Sequence, residues 1–147
     1  MLPIGVGAHA RAVTTVADRS CPFCDPPDVR VFHRTGAILA LWDAFPSSPG
    51  HALLVPRRHV ASWFDLTGEE HSALVEGLSV ARAEVLRRWQ PQGFNLGVND
   101  GVVAGQTVEH VHMHLIPRYP GDQTDPRGGV RWVLPATAAY WKGADDA

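Results

Sequence analysis

Residues 106–116 read Gln-Thr-Val-Glu-His-Val-His-Met-His-Leu-Ile, and His110, His112 and His114 alternate with Val111, Met113 and Leu115. That is the two-residue period of a β-strand with one apolar face. It predicts a strand over 110–116 whose other face carries three imidazoles. Same-face neighbours on a strand stand about 6.5–7 Å apart, close enough for the three to shape one small site. Val or Thr would pack such a face better. Placing three of the chain's 8 histidines there therefore points to chemistry.

Working outward, residues 29–32 and 37–42 are short apolar runs separated by His33-Arg34-Thr35-Gly36, the composition of a hairpin. The Pro- and Ser-rich loop Phe45-Pro46-Ser47-Ser48-Pro49-Gly50 leads to a third strand, 51–55, ended by Pro56. Chain economy favours a meander. Thr67 followed by Glu70 three residues on is a capping box. It opens a helix that ends near Trp89, with Leu74, Val75, Leu78, Ala81, Val85, Leu86 and Trp89 as its core stripe. Residues 93–98 read as a fourth strand, Asn99 to Gly105 as a Gly-rich loop, and the Gly-, Pro- and Asp-rich segment 120–129 as irregular. The fold class expected is α+β: about five antiparallel strands with one long helix packed on one face.

With 147 residues, 45% hydrophobic and 19% charged, the chain suits one domain over 21–147, preceded by an arm over 1–20 in which Gly5, Gly7, Ala8 and Ala10 show no periodicity. A net charge of -2 carries no nucleic-acid footprint. No run approaches the roughly 20 apolar residues of a membrane helix, and no signal-peptide pattern opens the chain. A cytoplasmic protein with a small-molecule partner, and neither nucleic acid nor membrane, is the expectation.

Cys21-Pro-Phe-Cys24 holds both cysteines. Cys-x-x-Cys spacing fits half a zinc site, a redox dithiol or chance. The redox reading needs a helix N-terminus, yet Asp25-Pro26-Pro27-Asp28 follows. Zinc would need two further ligands, and His59 with one histidine of the 110–116 strand are candidates.

Taken together, His110-Val-His-Met-His-Leu-Ile, Pro49-Gly50-His51-Ala-Leu-Leu-Val-Pro56 with His59, Asn95 to Gly101, and Ala104-Gly105-Gln106-Thr107-Val108 resemble, in order, the segments of the histidine triad (HIT) superfamily of nucleotide hydrolases and transferases. The resemblance spans about residues 21–118. It implies a homodimer with a continuous sheet, a second, short helix, and chemistry at a phosphoanhydride or phosphoramidate bond beside a nucleoside monophosphate. His112 would be the nucleophile, since a neutral imidazole offers a nitrogen lone pair near neutral pH while a main-chain carbonyl holds its other N–H. His114 and His51 would flank it. Asn99, Gly105, Gln106 and Thr107 would serve the phosphate oxygens, Gln106 matching a position tied to the bridging oxygen or attacking water.

Members with Cys-x-x-Cys further imply a structural zinc on Cys21, Cys24, His59 and His110, and no organic cofactor. The nucleoside pocket would draw on Phe23, Leu41, Trp42, Asp43 and Phe45, with Asp43 accepting from the ribose hydroxyls; as a bare residue it also reads as a turn former. Arg118, Arg127 and Arg131 sit in tail segments similar to the dinucleoside polyphosphate hydrolase branch, where guanidinium suits distal phosphates. The expected activity is cleavage of a dinucleoside polyphosphate through a nucleotidyl-histidine. The alternatives are a phosphoramidase, a phosphorylase or nucleotidyl transferase, a catalytic metal centre on the three histidines, and a nucleotide-binding protein with little turnover.

Overall fold

The computed structural model describes residues 20–143, so nearly all of the expected N-terminal arm lies outside the described residues. Five antiparallel strands form one sheet: β1 Val31–Arg34, β2 Ile38–Trp42, β3 Ala52–Pro56, β4 Gly93–Val98 and β5 Met113–Arg118. Thr35 closes the first hairpin, its Oγ1 accepting from the N–H groups of Ala37 and Ile38 at 3.2 and 3.0 Å. β1 starts later than the apolar run 29–32, because Asp28–Arg30 forms a 3-10 turn behind Pro27.

The strand order is β1-β2-β3-β5-β4 rather than a meander. Helix α1, Gly68–Trp89, is the cause: its 22 residues span about 33 Å and carry the chain across the sheet. β4 therefore lands on the far edge, and β5 returns between it and β3. The capping box forms as read, Thr67 accepting from the N–H of Glu70 and Glu70 from that of Thr67. The helix stripe is narrower than the sequence suggests. Leu74, Gly77, Ala81 and Val85 are buried, while Val75 is 59% exposed and Trp89 lies at the rim. Gly77 is there because a Cβ would stand 2.3 Å from Cδ1 of Ile38, so its absence lets helix and sheet touch.

β2 and β3 are buried on both faces. Ile38, Ala40, Ala52 and Leu54 pack under α1, whereas Leu39, Leu41, Leu53 and Val55 pack with Cys21 and Phe23 on the opposite face. That second face carries the candidate site. A short helix, α2 Pro135–Ala138, lies in the tail, and no helix among the described residues is long and apolar enough to cross a membrane.

Glu70 also fastens the start of α1 to the end of β3. Its carboxylate accepts from Arg58 at 2.8 and 2.7 Å and from the Thr67 N–H at 2.9 Å, and the Arg58 guanidinium holds it below the ordinary 4.5. A depressed carboxyl stabilises the fold above its unfolded value, and that stability is lost as pH falls through the folded value. Glu70→Gln is therefore expected to cost about 2 kcal/mol at neutral pH. Urea titrations should show the difference from wild type narrowing below about pH 4.

Candidate active site

The histidine-rich segment does not form the strand that its alternation predicts. β5 begins only at Met113, and the Val111 N–H donates to the Val60 carbonyl at 2.7 Å instead of joining the sheet. The bend turns the three imidazoles to different tasks. His110, fully buried, points its Nδ1 toward the cysteines. His114, on β5, lies opposite Leu53 on β3 and Gly97 on β4.

Acceptor geometry fixes the tautomers. The His112 Nδ1–H donates to the His110 carbonyl at 2.8 Å, which leaves the Nε2 lone pair unprotonated in the neutral ring. The Ser47 N–H donates to His51 Nδ1 at 3.1 Å, so the neutral His51 carries its proton on Nε2 and donates to His114 Nδ1 at 2.9 Å. His114 is left with an Nε2–H that is buried and has no acceptor among the described residues. One lone-pair nitrogen and one N–H donor thus come from rings whose centroids are 5.0 Å apart.

Burial, reinforced by the neighbouring His112 and His51, lowers His114 to about 4. Burial also lowers His51, outweighing the opposite pull of Asp43. Both rings are accordingly neutral at pH 7, and the 3.5 Å approach of Asp43 to His51 is not an ion pair. Phe23 covers the group, 4.9 Å from the His112 ring.

Below this lies the second cluster. Cys21, Cys24, His59 and His110 place one ligand atom each within 4.8 Å of one another. The Sγ to Nδ1 separations are 3.5 Å for Cys21 and His110, 3.2 Å for Cys24 and His59, and 3.6 Å for Cys24 and His110. A tetrahedral zinc with ordinary Zn–S and Zn–N bonds needs S to N edges of about 3.5 Å. The His110 Nε2–H donates to the Pro56 carbonyl at 2.8 Å, leaving Nδ1 free to ligate, and burial lowers this imidazole to about 4. The donor set fits zinc, and four protein ligands would close the site to substrate. Residues 22–24 form a turn and not the helix start that the redox reading requires.

The other expected site residues divide. Phe23 and Leu41 lie buried on the histidine face. Trp42 does not: it faces α1, stacked on Phe32 at 3.9 Å and against Trp89, because strand alternation turns it away from Leu41. Asp43 reaches His51, but its Oδ1 accepts from the Phe45 N–H at 2.8 Å, which is the turn reading of that residue. Phe45 is 90% exposed. Asn99, Gly105 and Thr107 lie on the loop joining β4 to β5, where Gly105 sits at φ +91°.

Gln106 is drawn into holding that loop: Oε1 accepts from the Gly101 N–H at 2.7 Å, and Nε2 donates to the Ala61 and Val108 carbonyls. Its amide ties down the main chain of that loop. Arg127 pairs with Asp125, and Arg131 donates to the Thr137 carbonyl, so both guanidiniums are taken up within the tail. Sequence reasoning missed Ser47, whose N–H holds His51; the Pro-flanked loop before His51 was the available signal for it.

Comparison with known proteins agrees with this geometry. A model of the HIT domain matches residues 27–121. The chain is 38% identical over 97 residues to the asymmetrical bis(5'-nucleosyl)-tetraphosphatase of Schizosaccharomyces pombe, a match covering 66% of this chain and 53% of that protein. It is 35% identical over 107 residues to the AP-4-A phosphorylase of Mycobacterium tuberculosis, covering 69% and 55%. The chain thus spans about half the length of these two relatives. A HIT family protein of Bacillus anthracis superposes with a TM-score of 0.65 at 29% identity, over 88% of this chain and 99% of its own.

Proposed function

Because the chain belongs to the HIT family, we propose that it is a nucleotide hydrolase that opens a dinucleoside polyphosphate at the α-phosphorus through a nucleotidyl-His112 intermediate. His112 Nε2 attacks the phosphorus in line, and the bond to the bridging oxygen breaks with its electron pair leaving on the distal phosphates. Water then attacks the adduct, releasing a nucleoside monophosphate and restoring the imidazole. The observation that carries this reading is the 2.8 Å hydrogen bond from His112 Nδ1 to the His110 carbonyl. It orients the lone pair and stabilises the cation formed in the adduct.

His114 supplies its buried Nε2–H to a phosphate oxygen, where charge grows in the transition state. His51 holds the tautomer of His114 and so acts as a positioning residue. Main chain and side chains of Asn99, Gly105 and Thr107 bind further oxygens, and Phe23, Leu41 and Asp43 receive the nucleoside. Zinc on Cys21, Cys24, His59 and His110 supplies cross-linking of the fold and no reaction step. The single domain extends over 21–147 and dimerises through β4, whose outer edge pairs with no further strand among the described residues.

The M. tuberculosis relative favours a second reading, in which inorganic phosphate replaces water in the second step. Incubating the protein with diadenosine tetraphosphate or adenosine phosphoramidate, with and without labelled phosphate, ranks these reactions. The expected result is adenosine monophosphate from the dinucleotide with no label incorporated, and a peptide carrying the nucleotidyl group on His112 in the trapped reaction. Label in the product selects phosphorolysis. An absence of turnover on both substrates together with an unmodified His112 sinks the proposal.

A further inference from the structure

The histidine face has a second arm. Leu41, Leu53, His114 and Gly97 stand in register across β2, β3, β5 and β4, so His114 separates a filled side over β2 and β3 from an open side over β4. At Gly97 an added Cβ would meet nothing within 4 Å among the described residues. One step of about 7 Å along the same face, Ile116 pairs with Asn95. There the tail folds back over the sheet, and between them lies a half-open pocket of about 620 Å3, lined by Ser47, Asn95, Ile116, Arg118, Trp132 and Trp141 among others. That volume suits one small-molecule group.

Three features show what the cavity accepts. Ser47 lines it while donating its N–H to His51, so it borders the histidine network directly. Trp132 remains 43% exposed although its indole N–H donates to the Arg127 carbonyl at 2.8 Å; its orientation is fixed and apolar ring surface is left uncovered. The charges around the cavity are matched, Arg118 and Lys142 against Asp122 and Asp125. Arg118 is already held by Asp122 and Asn95. Such a site favours an uncharged aromatic group over further phosphate.

The geometry points to this cavity as the seat of the distal nucleoside of the substrate, its base against the indoles, with Gly97 as the passage from His114; this rests on the hydrolase reading above. Gly97→Val and Trp132→Ala test it. Diadenosine tetraphosphate reaches the cavity, whereas adenosine phosphoramidate, whose leaving group is ammonia, does not. Each variant is expected to raise KM for the dinucleotide about ten-fold, within the range for loss of a stacking platform. kcat/KM for the phosphoramidate should stay within about two-fold.

Equal losses on both substrates, or none on the dinucleotide, overturn the inference. Calorimetry in a His112→Ala background separates it from the hydrolase reading, because binding needs no turnover. There Gly97→Val should weaken diadenosine tetraphosphate about ten-fold and leave adenosine monophosphate unchanged, and equal weakening of both overturns it.

Discussion

Replacing His112 by alanine is expected to remove the nucleotidyl adduct and to lower kcat by a factor on the order of 10^4 to 10^6, the loss seen when a nucleophile is deleted from a site that otherwise still binds. The magnitude follows from the division of labour among the rings. His114 presents an N–H donor and His110 is turned away toward the cysteines, so neither can substitute for the His112 lone pair. Substrate affinity should change little, because the donors that hold the phosphate remain. His112→Gly with added imidazole adds a sharper measurement: partial recovery of turnover, with no protein adduct, is expected of a missing nucleophile and not of a collapsed site. A His112→Ala protein as active as wild type would remove the mechanism altogether.

Stripping zinc is expected to have the second largest effect, on stability before chemistry. Native mass spectrometry should find one zinc per chain, lost in Cys21→Ser. The cluster joins the segment around Cys21 and Cys24 to His59, just past β3, and to His110 at the bend before β5. Losing a cross-link of this kind should cost about 3 kcal/mol or more, lowering Tm by roughly 6–12 °C for a chain of this length. Turnover should fall with it but persist in the folded fraction, since the His110 carbonyl that orients His112 is held at this cluster. Complete loss of activity on chelation with Tm unchanged would instead identify a catalytic metal. That outcome is at odds with the divergence of the three imidazoles.

Much of the architecture was legible where interactions are local. The capping box at Thr67 and Glu70 places the start of α1 because both partners lie within one helical turn. The β4 strand spans residues 93–98, where the sequence reads as a strand. The strand order was not legible, because economy of connection says nothing about how far a 22-residue helix carries the chain before the next strand pairs. Trp42 was misplaced for a smaller reason: it shares a strand with Leu41, and alternation decides which of the two faces the histidines only once the buried face is known.

The amino-acid sequence alone determined which groups are available: three histidines in one short segment, a Cys-x-x-Cys, His51 and His59, and the segments that mark the HIT family. Composition and spacing suffice for that because they are properties of the chain itself. What each imidazole does was decided by tertiary structure. Val111 bonds to Val60 and not to a neighbouring strand, so the chain bends before β5 and the period-two pattern loses its meaning at His110 and His112. Tautomer and direction then depend on partners remote in sequence: the Pro56 carbonyl for His110, and the Ser47 N–H, relayed through His51, for His114. Gln106 shows the same limit, its amide being absorbed by the carbonyls of Ala61 and Val108. A hydrogen-bonding group's role is set by the partner that reaches it first, and only the folded chain says which that is.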